Sequence, residues 1–174
     1  MNDLIFFSEN YNNILKSLNL NLMEGEKTIK YELYGKKLSF PDRIYMDSIC
    51  DNNLKKFDLH QKIVMYCIFS RHHDGFIRQK QIEKLLSLSI DFSTIPFIFK
   101  ICDEYVLEIL DVVYSKLKSR DNRDFKAFCC QNQRLVSRSY ARMVSYWNEY
   151  YRNCFPDINM YIGKKLFVEC FGIN

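Results

Sequence analysis

The sequence predicts a mainly α fold, an array of antiparallel helical hairpins held in a single domain. Three observations predict it. Apolar residues recur at helical spacing over much of residues 59–170, a turn motif repeats 29 residues apart, and the 174-residue chain has the composition of one ordinary globular domain. That length buries a core without metal or disulfide staples, and 48% hydrophobic with 26% charged residues indicates neither disorder nor a fibre. The unusual quantity is aromatic content, at 16%, from fourteen Phe and twelve Tyr. Such rings fill a core with few residues, and a Tyr also offers an apolar body with a polar tip to an interface.

Residues 1–45 read as an irregular N-terminal cap and 46–174 as the helical-repeat body. One helix is expected near residues 9–18. Over 28–40 the chain alternates more like a strand pair, with Tyr34-Gly35 as its turn, and a helix fits poorly there because of β-branched residues, nearby glycines and Pro41. A small N-terminal β-hairpin and an irregular cap both stay open.

Beyond the cap, Leu59, Ile63, Val64, Cys67 and Ile68 share one helical face, with Asp58 placed to cap it. Arg71-His72-His73-Asp74-Gly75 breaks the pattern, which restarts at Ile82, Leu85 and Leu86, so these are two helices of a hairpin with Gly75 in the turn. A second pair follows. Ser93 or Thr94 caps a short helix with Pro96 in its first turn, and Val106, Ile109, Leu110, Val113 and Leu117 form the next stripe. Asp74-Gly75-Phe76-Ile77 aligns with Asp103-Glu104-Tyr105-Val106, which relates the two hairpins. Val136, Tyr140, Met143, Trp147 and Tyr150 trace a long amphipathic helix, and Ile158, Ile162, Leu166 and Cys170 another.

Several function classes find no support. No stretch approaches the ~20 apolar residues of a membrane span, and MNDLIFF lacks the basic start and small-residue cleavage site of a signal peptide. Seven cysteines, an odd number falling partly on core positions, suit reduced thiols and a cytoplasmic location. Arg71-His72-His73-Asp74 is the one cluster with catalytic or metal-ligating side chains. Adjacent side chains on a turn diverge, however, and the third histidine, His60, stands at the far end of the preceding helix, so a polar turn is the better reading. Cys129-Cys130 is no CxxC pair and reads as helix packing. No phosphate loop, HExxH, GxSxG or Arg-x4-6-His ribonuclease signature occurs. The expectation is a chain that is not an enzyme and has no cofactor or metal.

Charge is more informative. Residues 115–142 hold eight basic side chains against two acidic ones, and Arg134, Arg138 and Arg142 lie four apart on one helix face. Glu104, Glu108 and Asp111 form an acidic stripe, with Asp103 and Tyr105 beside it. The two stripes are solvated faces, neighbours that pair with each other, or binding surfaces. The basic one would follow a phosphate backbone, with Tyr146, Trp147, Tyr150 and Tyr151 near it to stack bases, although Trp147 falls on the core stripe. The acidic one would cover a basic protein.

The segment from Asp74 through Arg78 to Leu86 resembles the second helix of a HEAT-type repeat, with an Asp in the turn and an Arg four residues on. Leu107 stands where a second such Arg would be, and a 29-residue period is short, so the resemblance implies a degenerate HEAT-like array. From about residue 38 to 172, including Arg71-His72-His73-Asp74-Gly75 and the run from Arg142-Met143-Val144 to Tyr150-Tyr151-Arg152, the chain resembles immunity proteins of bacterial contact-dependent growth inhibition loci. That resemblance implies a cytoplasmic monomer that binds one cognate toxin domain in a 1:1 complex and occludes its active site. Ribonuclease toxins, RNase A-like ones included, are the implied partner class. On that view Asp103, Glu104, Tyr105, Glu108 and Asp111 meet the toxin; a nucleic-acid-binding module using Arg134, Arg138 and Arg142 is the alternative.

Overall fold

A computed structural model describes residues 23–46, 55, 57–88 and 90–173. The helix expected near residues 9–18 and Cys50 lie outside the described residues. Those described are mainly α, with short strands near the start. The strands are β1 (Met23–Glu24), β2 (Thr28–Leu33), β3 (Lys36–Pro41) and β4 (Ile44–Tyr45). The helices are α1 (Leu59–Phe69), α2 (Gly75–Ser87), α3 (Ile95–Ile101), α4 (Leu107–Leu117), α5 (Arg123–Gln131), α6 (Gln133–Tyr146) and α7 (Ile162–Lys165). The chain divides into two compact units, Met1–Ile29 with Ser39–Thr94, and Lys30–Leu38 with Ile95–Asn174.

The strand pair over 28–40 forms as a hairpin. β2 pairs with β3, and Tyr34 (φ 51°) with Gly35 (φ 72°) makes the two-residue turn, both in the left-handed conformation that a type I′ hairpin demands. Glycine takes that conformation freely; Tyr34 takes it at a cost.

In the first unit, β1 pairs antiparallel with β4 in the register Met23↔Tyr45 and Glu24↔Ile44. Asp58 caps α1 through a reciprocal capping box with Gln61, each side chain accepting from the other's backbone amide at 2.8 and 3.0 Å. α1 packs on α2, and Ile44, Phe57, Val64, Met65, Ile68 and Phe69 make a core cluster. Gly75 does not sit in the turn as expected but starts α2, because the Asp74 carboxylate accepts the Phe76 amide at 2.8 Å and fixes the helix start there.

The Arg-His-His-Asp turn is built inward. Ile44 N–H donates to Arg71 O and His73 N–H to Ile44 O, so the turn adds a short bridge to β4. Buried Arg71 donates to Asp42 O at 2.8 Å through Nη2, and buried Arg78 donates to the carbonyls of His72 and His73 at 2.9 and 2.8 Å. His72 Nδ1 accepts the Asp74 amide at 3.0 Å, so Nε2 carries the proton and donates to Met46 O at 2.8 Å. Burial depresses the His72 pKa below its usual value, outweighing the Met46 carbonyl that raises it. A depressed histidine pKa stabilises the fold fully above the unfolded value, about 6.5, and that contribution is lost as pH falls through the folded value. The urea midpoint is therefore expected to drop between pH 7.5 and 5, with a flatter profile for His72→Gln.

Asp91 opens the approach to α3. Its carboxylate accepts the Ser93 amide at 2.8 Å and its carbonyl the Thr94 amide and hydroxyl, which winds Phe92–Thr94 into a 3₁₀ turn at the end of the first unit. The predicted stripe of α4 is buried at Ile109, Leu110, Val113 and Leu117. Phe99 lies at the centre of the core, with ring centroids 5.7, 5.8 and 5.1 Å from Phe128, Phe167 and Phe171. At the α5–α6 junction, the Asn132 side chain accepts Glu32 N–H at 2.6 Å and donates to Glu32 O at 2.9 Å, pairing with the β2 edge as a further strand would.

Two expected long helices are interrupted. α6 passes into a π-helical turn, Trp147–Tyr151. The expected helix through Ile158 and Cys170 is instead a 3₁₀ turn (Ile158–Met160), an extended Tyr161, the single turn of α7 and a π-helical segment (Leu166–Cys170). Apolar spacing of four survives these changes of winding, which is why the sequence pattern reads as continuous.

Candidate functional site

Lys100, on the last turn of α3, is buried, and a buried ammonium requires a partner. Asp103, three residues on, supplies it with Oδ1 at 2.6 Å from Nζ. This pairing folds the α3–α4 turn inward, so Asp103 and Glu104 are both buried and precede α4 rather than lining its outer face. The expected acidic stripe is thereby corrected. Its surface part is Glu108 and Asp111, exposed neighbours at i,i+3 on α4. Glu108 also sits in the first turn of α4, where a carboxylate complements the helix dipole.

The basic stripe on α6 behaves similarly. Arg134 and Arg138 are exposed, whereas the Arg142 side chain is 37% exposed and its Nη1 lies 3.8 Å from Asp103 Oδ1. The acidic and basic candidates therefore meet at Asp103 and Arg142.

Beside that junction lies a tyrosine cluster that the sequence had divided between the two candidates. Tyr105, at the end of the α3–α4 turn, has its ring centroid 5.7 Å from Tyr146 and 5.9 Å from Tyr150, and those two are 6.1 Å apart. Tyr105 is 49% and Tyr150 58% exposed. On an uninterrupted α-helix Tyr150 would share the buried stripe of Met143. The π turn takes more residues per turn, so each rotates less about the axis and Tyr150 falls off that stripe. Trp147 ends half-buried, its indole N–H donating to Phe155 O at 2.9 Å. The signal that could have found the cluster is the i,i+4 run Arg138, Arg142, Tyr146, Tyr150, which continues the basic row into an aromatic one.

The cluster is braced from below. Val106 caps α4 with no side-chain hydrogen bond. The Tyr151 hydroxyl takes that role from 46 residues away, donating to the Tyr105 carbonyl and accepting the Leu107 amide. Burial raises the Tyr151 pKa, and Glu108 near its hydroxyl adds to the rise. Tyr151 in turn stacks on fully buried Tyr161, centroids 5.4 Å apart. Tyr151→Phe keeps the ring and removes the hydroxyl, so it is expected to cost about 0.5–2 kcal/mol, the range for a lost helix cap, read as a lower urea midpoint. It should also broaden the Tyr105 resonances.

Other chemistry-bearing groups stay apart. Both His72 ring nitrogens are engaged, Nδ1 by the Asp74 amide within the turn and Nε2 by the Met46 carbonyl. Cys129 is buried, as packing predicts, but Cys130 is exposed. Burial pushes the Cys129 thiol up to about 12 and the Cys170 thiol up to about 11, which keeps both protonated. Among the described residues, no three His, Cys, Asp or Glu side chains are arranged to hold a metal ion, and no helix is long and apolar enough to cross a membrane.

No protein-family model, curated protein or solved structure matches this chain.

Proposed function

We propose that this chain is a non-catalytic binding protein of the immunity type, which neutralises a bacterial toxin domain, of the nuclease class, by covering its active site. The observation that carries the binding role is the mutually braced group of exposed Tyr105 and Tyr150 with half-buried Tyr146; α4, which follows Tyr105, bears exposed Glu108 and Asp111, and α6, which ends at Tyr146, bears Arg138 and Arg142. Tyrosine and arginine are the residues most enriched where protein interfaces concentrate their energy, and a rim of both charge signs suits a protein partner. The toxin class comes from the resemblance at residues 71–75 and 142–152. A nuclease cleft is basic, and Glu108 and Asp111 would steer it to the tyrosines.

The direct experiment is co-expression with the product of the adjacent upstream gene. A 1:1 complex is expected, together with protection of the host from the toxin. Tyr105→Ala and Tyr150→Ala are each expected to weaken the complex by about thirtyfold or more, the scale of an interface hot spot. Glu108→Lys with Asp111→Lys should slow association and reduce its salt dependence. A complex indifferent to all four substitutions would move the interface elsewhere.

Exposed Arg134 and Arg138 favour a second reading, a nucleic-acid-binding face. Two facts count against it: Arg142 lies beside Asp103, and Glu108 and Asp111 would repel phosphate. A titration with single-stranded RNA at two salt concentrations separates the readings, and absence of salt-dependent binding removes this one.

A further inference from the structure

We propose that the Tyr105, Tyr146 and Tyr150 triad receives a lysine or arginine side chain of the protein partner through cation–π contact, with Glu108 and Asp111 supplying the attraction at longer range. This rests on the binding role proposed above and names the chemistry the site would take.

Four features of the site support it. The three centroids form a nearly equilateral triangle of side 5.7 to 6.1 Å. Rings this close touch one another. The interplanar angles are 64°, 42° and 36°, so none of the three pairs is a parallel stack that closes ring face against ring face. A cation ~4 Å above the plane of the three centres would lie within ~6 Å of each, the reach of a cation–π contact.

Charge selects the sign. Glu108 is exposed in the first turn of α4, close enough to the Tyr151 hydroxyl to act on it, and that hydroxyl is bonded to the Tyr105 carbonyl. Asp111 follows one turn later. Two arginines stand close to the triad in sequence: Arg152, two residues after Tyr150, whose Nη1 donates to Asn148 Oδ1 at 3.3 Å, and Arg142, four residues before Tyr146 and beside Asp103. Elsewhere in the same unit, a tyrosine of this chain already holds an ammonium group this way, Lys118 over Tyr114 at 5.7 Å.

The test uses the isolated chain with carbon-13-labelled tyrosine rings and three probes at matched ionic strength: tetramethylammonium chloride, N-acetyl-arginine amide and the neutral isostere tert-butanol. Saturable shifts are expected at the Tyr105, Tyr146 and Tyr150 rings with both cations. Binding of tert-butanol should be about tenfold weaker, as the summed contacts imply. Tyr150→Leu, at an exposed position, should weaken cation binding without moving the Tyr31 resonances, and Glu108→Gln should weaken it less. Equal response to tert-butanol, or no saturation with either cation, overturns the proposal. A chain that captures its toxin but ignores both cations keeps the binding role and loses this assignment. A chain that binds the cations but no toxin keeps the assignment and loses the immunity reading.

Discussion

Replacing Phe99 with alanine is expected to cost about 3–5 kcal/mol, the range for deleting a large ring from a packed core. Phe99 is fully buried and touches Phe128 on α5, Phe167 in the second π-helical segment and Phe171 just beyond it. Those rings are also fixed to one another or to further rings: Phe167 to Phe171 at 5.6 Å, Phe125 to Phe171 at 5.5 Å and Tyr140 to Phe167 at 5.5 Å. Walls held from several elements cannot collapse into the space, so the cavity cost adds to the lost burial. Against a typical total stability of about 5–15 kcal/mol, the loss is a large fraction of the whole. Urea melts of Phe99→Ala and Phe99→Leu check it; a Phe99→Ala midpoint within error of the parent would show that the cluster is not the keystone its geometry implies.

Replacing Asp103 with alanine is expected to be equally severe, about 3–5 kcal/mol, because breaking a buried ion pair from one side leaves the other charge buried without the carboxylate that paired with it. The Lys100 ammonium, 2.6 Å from the carboxylate, would lose its closest anion, and Arg142 would lose the oxygen 3.8 Å from its Nη1. Lys100→Met combined with Asp103→Leu removes both charges and should recover most of the stability, since an apolar pair of similar volume is often as good as the ion pair. A thermal melt of the three proteins distinguishes a charge effect from a packing effect: only the former restores the double variant. Because Asp103 anchors the turn that carries Tyr105, the single variant should lose partner binding further than its stability loss explains.

Much of the fold was legible because local periodicity reports which face of a helix is buried. The stripe Val106, Ile109, Leu110, Val113 and Leu117 was read from spacing alone and is buried at every position but Val106, which is half-buried at the N-cap. Asp58 was recognised as a cap because a carboxylate before an apolar run has a donor to satisfy. Tyr34-Gly35 was placed as the turn of an optional hairpin because the strand-like alternation over 28–40 breaks there, and the hairpin forms. The same local logic failed at Ile158, Ile162, Leu166 and Cys170, where a spacing of four is shared by α-helical, 3₁₀ and π winding in succession.

The candidate site was legible only in its parts. By itself, the sequence determined that the chain is mainly α, that aromatic residues are abundant, and that an acidic and a basic group of residues lie near residues 108 and 138. The tertiary structure alone decided that Asp103 turns inward to neutralise buried Lys100, that Arg142 reaches the same carboxylate, and that a π turn brings Tyr150 out beside Tyr105. The physical reason is range. Helical spacing is set within a few residues, whereas the fate of a charge depends on which opposite charge folding places next to it, and the outward turn of Tyr150 depends on a winding that packing selects.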